Sequence, residues 1–141
     1  MGDVKDIKVI YVTNTLSLKN VFRKHLSDIG VDFLILDGDL ETLFKIKEFC
    51  PNVVIIDPFI DGAMSAVSLI RLIFDRKIPA MITIPPRKWD GIHRFQNVGI
   101  VHTVPLYCDI ERLKEDIRKA AEVGKAIFPQ EEKVELELLE A

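Results

Sequence analysis

Pro51-Asn52-Val53-Val54-Ile55-Ile56-Asp57-Pro58 is the stretch that decides the fold. Four β-branched apolar residues follow one another with no polar break, as in a strand buried on both faces of a parallel sheet. The run ends at a carboxylate, and Pro58-Phe59-Ile60-Asp61-Gly62 reads as the loop that follows. In an open parallel sheet, ligands and chemistry gather outside the carboxyl ends of the strands. Asp57 therefore stands where a reactive or metal-binding group would stand.

The same alternation extends on both sides. Upstream, Ile7 to Val12 predicts a first strand that stops at Thr13-Asn14-Thr15. Leu18, Val21, Phe22, His25 and Leu26 then recur at helical spacing, with a Ser or Thr as N-cap and Gly30 as the stop. Val31 to Leu36 predicts a second strand, and Leu40 to Lys47 a second helix closed by Pro51. Downstream, the pattern predicts a helix over Ala63 to Phe74, a strand over Ile78 to Ile84, a helix within Arg87 to Asn97 and a strand over Ile100 to Val104. Asp109 caps a last helix in which Ile110, Leu113, Ile117, Ala120 and Ala121 share one face. Five such strands alternating with five helices make a doubly wound α/β sandwich.

The 141 residues, 48% of them hydrophobic and 29% charged, suit one domain with a sizeable core. We divide the chain into a domain over residues 1–128 and an acidic tail over 129–141. The tail carries Glu131, Glu132, Glu135, Glu137 and Glu140 against Lys133, a charge of −4 that leaves +1 on the remainder of a chain whose net charge is −3. That balance argues against a non-specific hold on nucleic acid or on an anionic membrane. Cys50 and Cys108 form neither a CxxC pair nor a zinc pattern, and no apolar segment reaches membrane-spanning length. The expected location is the cytoplasm.

Most reactive constellations are missing. His25, His93 and His102 lack metal-ligand spacing, and Ser65 and Ser68 sit in a helix rather than in a nucleophile elbow. Thr13-Asn14-Thr15-Leu16-Ser17 contains no glycine, which argues against a phosphate-binding loop after the first strand. His102 reads as a hydrogen-bonded histidine of the interior or of a sheet edge. Arg71, Arg76, Lys77, Arg87, Lys88 and Arg94 concentrate basic charge from the third helix to the fourth. Trp89 and Phe95 lie among them. Arg87, Lys88, Trp89, Arg94 and Phe95 are thus a candidate partner surface, since interface centres are rich in Trp and Arg.

On these landmarks the chain resembles a response-regulator receiver domain, the CheY-like module of two-component signalling, over residues 6 to 127. The stretch quoted first is similar to the family's third strand ending in its phosphorylated Asp. Asp61-Gly62 is similar to the loop after that residue, Lys77-Ile78-Pro79-Ala80-Met81-Ile82 to the start of the fourth strand, and Pro105 to the proline closing the fifth. The resemblance implies a flavodoxin-like sheet of order 2-1-3-4-5, with Asp57 as the phosphoacceptor candidate. It also implies a signalling protein partner and a homodimer built on the fourth and fifth helices.

The departures from the family matter as much. Thr13 and Asn14 stand where the family has its Mg²⁺-binding acidic pair, and Val104 replaces the lysine before the fifth-strand proline. The switch Ser/Thr falls at Ile84, or at Thr83 with a register one residue earlier. The aromatic switch position falls at Val101. Phosphoryl transfer depends on positioning and charge neutralisation, which the metal and lysine would supply. The resemblance is accordingly to a degenerate pseudo-receiver: not an enzyme, without cofactor or metal, acting through protein contacts and independent of phosphorylation. The alternative is a working response regulator phosphorylated on Asp57 through an atypical pocket, with Asp37 or Asp61 replacing a lost ligand of a weak Mg²⁺ site. A third reading is a small-molecule binding or enzymatic protein that uses the strand-end crevice.

Overall fold

The computed structural model describes residues 6–39, 41–73, 78–85, 89–97, 100, 102–106 and 109–123. The order of elements is β1 (Lys8–Val12), α1 (Leu16–Ile29), β2 (Asp32–Leu36), α2 (Thr42–Phe49), β3 (Val53–Ile56), α3 (Ala63–Ile73), β4 (Ala80–Ile84), α4 (Ile92–Asn97) and β5 (His102–Pro105). A further helix, α5, covers residues 110–123. All neighbouring strands are parallel, in the order β2-β1-β3-β4-β5. This is the five-stranded flavodoxin-like sandwich expected from the sequence. The tail over 129–141 lies outside the described residues, as do Arg76, Lys77, Arg87, Lys88 and Val101.

The alternation of side chains sorts the core into two layers. Val9, Tyr11, Val53, Ile55, Met81 and Val104 face one side of the sheet, where they pack with Phe22 and Leu26 of α1 and with Leu113 and Ile117 of α5. Ile10, Val12, Val54, Ile56 and Ile82 face the other, against Ile46 of α2, Val67 and Ile70 of α3 and Phe95 of α4. Every residue of β3 is fully buried. At about 1.5–3 kcal/mol for each buried aliphatic side chain, this strand anchors both layers. The edge strand β2 is only partly covered.

Differences from the sequence pattern cluster around prolines and glycines. The fourth helix is only Ile92–Asn97, because residues 89–91 form a turn in which Gly91 lies under the Trp89 ring. β4 begins at Ala80, since Pro79 has no amide to donate, although its carbonyl accepts from Val54 N at 3.0 Å. Thr15 occupies the N-cap of α1 but makes no side-chain capping bond, whereas Gly30 ends that helix in the left-handed conformation, as the sequence indicates. No described helix is long and apolar enough to cross a membrane.

Candidate functional site

The strand registers place a row of side chains across the carboxyl end of the sheet. Val12 pairs with Ile56, Ile56 with Ile82, and Thr83 with Val104. One residue further, Thr13, Asp57, Thr83 and Val104 therefore align on the α1/α5 face. The register puts Thr83 beside Asp57, while Ile84 belongs to the opposite face.

Asp57 is 4% exposed and both of its carboxylate oxygens are engaged. Thr13 Oγ1 donates to Oδ2 at 2.7 Å, and the amide of Phe59 donates to Oδ1 at 3.0 Å. Its own amide donates to the Val12 carbonyl at 2.9 Å. Thr13 is itself fully buried, and its hydroxyl also accepts from Thr15 N at 3.2 Å, which ties the start of α1 to the same point. Asn14 turns elsewhere: its Oδ1 accepts from Gly38 N at 2.8 Å and steadies the β2–α2 loop.

Beneath Asp57 lies a group that sequence reasoning missed. Tyr11 is fully buried and stacked on Phe22 with ring centroids 4.0 Å apart, yet its hydroxyl has no hydrogen-bond partner. Burial, and secondarily the charge of Asp57, push the phenol well above its ordinary value, against the smaller influence of the Thr13 and Thr83 hydroxyls. Those hydroxyls lie near it without bonding geometry. Val104 is fully buried and closes the far end of the row with hydrocarbon.

These residues do not fit the Mg²⁺ that receivers carry. A hard cation of this kind is held through carboxylates, and here the Thr13 hydroxyl donates to one of the two Asp57 oxygens. Asn14 is committed to Gly38, and Asp37 pairs with Lys19. Asp61 lines a hollow on the α2/α3 side. Among the described residues no cluster of three or more His, Cys, Asp or Glu could hold a metal ion.

The candidate partner surface adjoins this pocket through one peptide. Phe59, held by Asp57 through its amide, is 53% exposed, and its ring lies 5.2 Å from that of Trp89. Trp89 in turn lies 6.0 Å from Phe95, which is buried at 4% and forms the floor. Together with Arg94 they border a hollow of about 380 Å³ beside the first turn of α3. Phe59 was not legible as a contact residue, since nothing in its sequence neighbourhood aims it at Trp89.

His102 is a hydrogen-bonded edge-strand histidine, with Nε2 2.8 Å from Asp116 Oδ1. Asp116 is 2% exposed and also accepts from Arg112 Nε at 3.1 Å, so this carboxylate joins β5 to α5. The helical pattern hides it among the charges of α5.

No family model matches the chain, and no curated protein matches it. Among solved structures it is similar to the signal receiver domain of a modulated diguanylate cyclase from Desulfovibrio desulfuricans G20, with TM-score 0.73, 16% identity, 86% of this chain and 98% of that one. A response regulator receiver domain protein from Clostridium thermocellum superposes with TM-score 0.75 at 18% identity, over 86% of this chain and 98% of that one. For the chemotaxis protein CheY4 of Vibrio cholerae the values are 0.71 and 19%, over 82% and 98%. Sheet order, the strand-end aspartate and these superpositions lead to one conclusion: the chain has the fold of the response-regulator receiver domains.

Proposed function

We propose that this protein is a receiver-like signalling module, of pseudo-receiver type, that works through protein contacts and independently of phosphorylation at Asp57. One observation carries the reading: both oxygens of the buried carboxylate are held by neutral donors, Thr13 and the Phe59 amide, in a row that ends in Val104. A phosphoryl group would arrive with several negative oxygens and find, among the described residues of the row, neither an acidic pair to hold a metal nor a lysine to balance them. Asp57 serves instead to join the ends of β1 and β3 to the loop that carries Phe59.

The surface we assign to the partner is centred on Trp89, Arg94 and Phe59, floored by Phe95, with Arg87 and Lys88 adjoining it in sequence. Its partners are another signalling protein and, through α4 and α5, a second copy of the chain. The module is cytoplasmic and performs no catalysis of its own. Incubation with Mg²⁺ and acetyl phosphate should leave the intact mass unchanged. Stoichiometric phosphoryl addition, lost in Asp57→Asn, would overturn the reading.

A further inference from the structure

We propose that the hollow between α2 and α3 binds a small organic cation, a primary amine carrying a compact aliphatic or single-ring body. This site lies on the face of the sheet opposite the Asp57 row and does not depend on whether Asp57 is ever phosphorylated. The hollow has a volume of about 380 Å³. Ligand pockets begin at about 300 Å³, whereas voids larger than a water molecule are few in a well-packed interior.

Its chemistry is divided between interior and mouth. Val12 and Ile56 of the sheet, Leu43 of α2, and Ile60, Ala66 and Ile70 form the walls. These offer carbon, so water inside would lack the two to four polar partners that hold it in place. Of the two lining hydroxyls, that of Ser65 is exposed, and Thr42 adds no free polar atom: its hydroxyl donates to the Asp37 carbonyl at 2.6 Å and accepts from Asp39 N at 3.0 Å. At the rim stand two exposed carboxylates, Asp39 and Asp61. Asp39 Oδ1 accepts from Glu41 N at 2.9 Å, whereas Asp61 makes no ion pair among the described residues. No Lys, Arg or His is among the described residues that line the hollow. An apolar interior beneath two carboxylates, with no cation beside them among the described residues, selects a ligand with a hydrocarbon body and a positive, hydrogen-bond-donating end.

One wall is set by a close approach. A Cβ at Gly38 would stand 2.6 Å from Ile60 Cδ1, so alanine there must displace that methyl and reshape the hollow. Ala66, half-buried in the opposite wall, gives a second way to change its volume.

The test uses the full chain with three probes of one shape: 2-phenylethylamine, 2-phenylethanol and 3-phenylpropionate. Amide chemical shifts are followed through each titration. The amine should produce saturable shifts centred on Leu43, Ile60 and Ala66 at concentrations on the order of millimolar. The alcohol should bind more weakly and the carboxylate most weakly. Asp61→Asn should weaken the amine by about two- to fivefold. Ala66→Leu should abolish its binding, and Gly38→Ala, the second variant should that one fail to fold, should weaken it. The proposal falls if the amine gives no saturable shift up to its solubility limit, if the carboxylate binds as tightly as the amine, or if a folded Ala66→Leu protein binds the amine unchanged.

Discussion

Tyr11 shows how one side chain can meet the demands of packing and fail those of hydrogen bonding. Its ring fills the layer between β1 and α1, while its hydroxyl is buried without a partner. An unsatisfied buried hydroxyl costs more than a paired one gains, so Tyr11→Phe should raise stability by about 1 kcal/mol. The same residue sets an alkaline limit. The unfolded phenol ionises near its ordinary value, while the folded one holds its proton beyond it; above about pH 10 the folded state binds the extra proton and stability falls. Urea unfolding from about pH 9 to about pH 11 should show wild type losing up to about 1.4 kcal/mol per pH unit relative to Tyr11→Phe. Parallel curves would refute this. At this scale the sequence was legible for Asp57, whose place at a strand end follows from period and punctuation. It was not legible for Tyr11 or Asp116, because periodicity says that a position is interior without saying what its polar atom will meet.

Among the elements, α4 departs most from its sequence pattern. The sequence pattern places a helix within residues 87–97, whereas the structure starts it at Ile92, after Gly91, whose missing Cβ makes room for the indole of Trp89. A Cβ there would fall 2.4 Å from Trp89 Cζ2, too close for any side-chain carbon, so Gly91→Ala should drive the indole out of its contacts with Phe59 and Phe95. Trp89 is the protein's one tryptophan, so its emission reports the event directly: a red shift and greater quenching by iodide are expected, with the far-UV spectrum preserved. An unchanged emission spectrum would mean that the turn accommodates the methyl in another way. The strands and the longer helices were legible because each presents a whole face to a core layer. A six-residue helix held by three aromatic rings has too few turns for a period to show.

For the molecule as a whole, strand order implies a gradient of stability. β1, β3 and β4 each pair on both sides, with β3 at the centre, whereas β2 and β5 are edges. In hydrogen exchange, amides of Val9–Val12 and Val53–Ile56 should be the slowest and those of β2 and β5 distinctly faster. Uniform protection across the five strands would contradict that gradient. The loop after β3 leaves this stable centre and joins two neighbourhoods: the amide of Phe59 is held by Asp57 while its ring lies against Trp89. Coupling free energy is reciprocal. A protein that grips the ring in its present position also reinforces the grip on the buried carboxylate, by the same factor. A shared residue of this kind carries influence inward from the surface as readily as outward, so whatever fixes the Phe59 ring is felt at the end of the central strand.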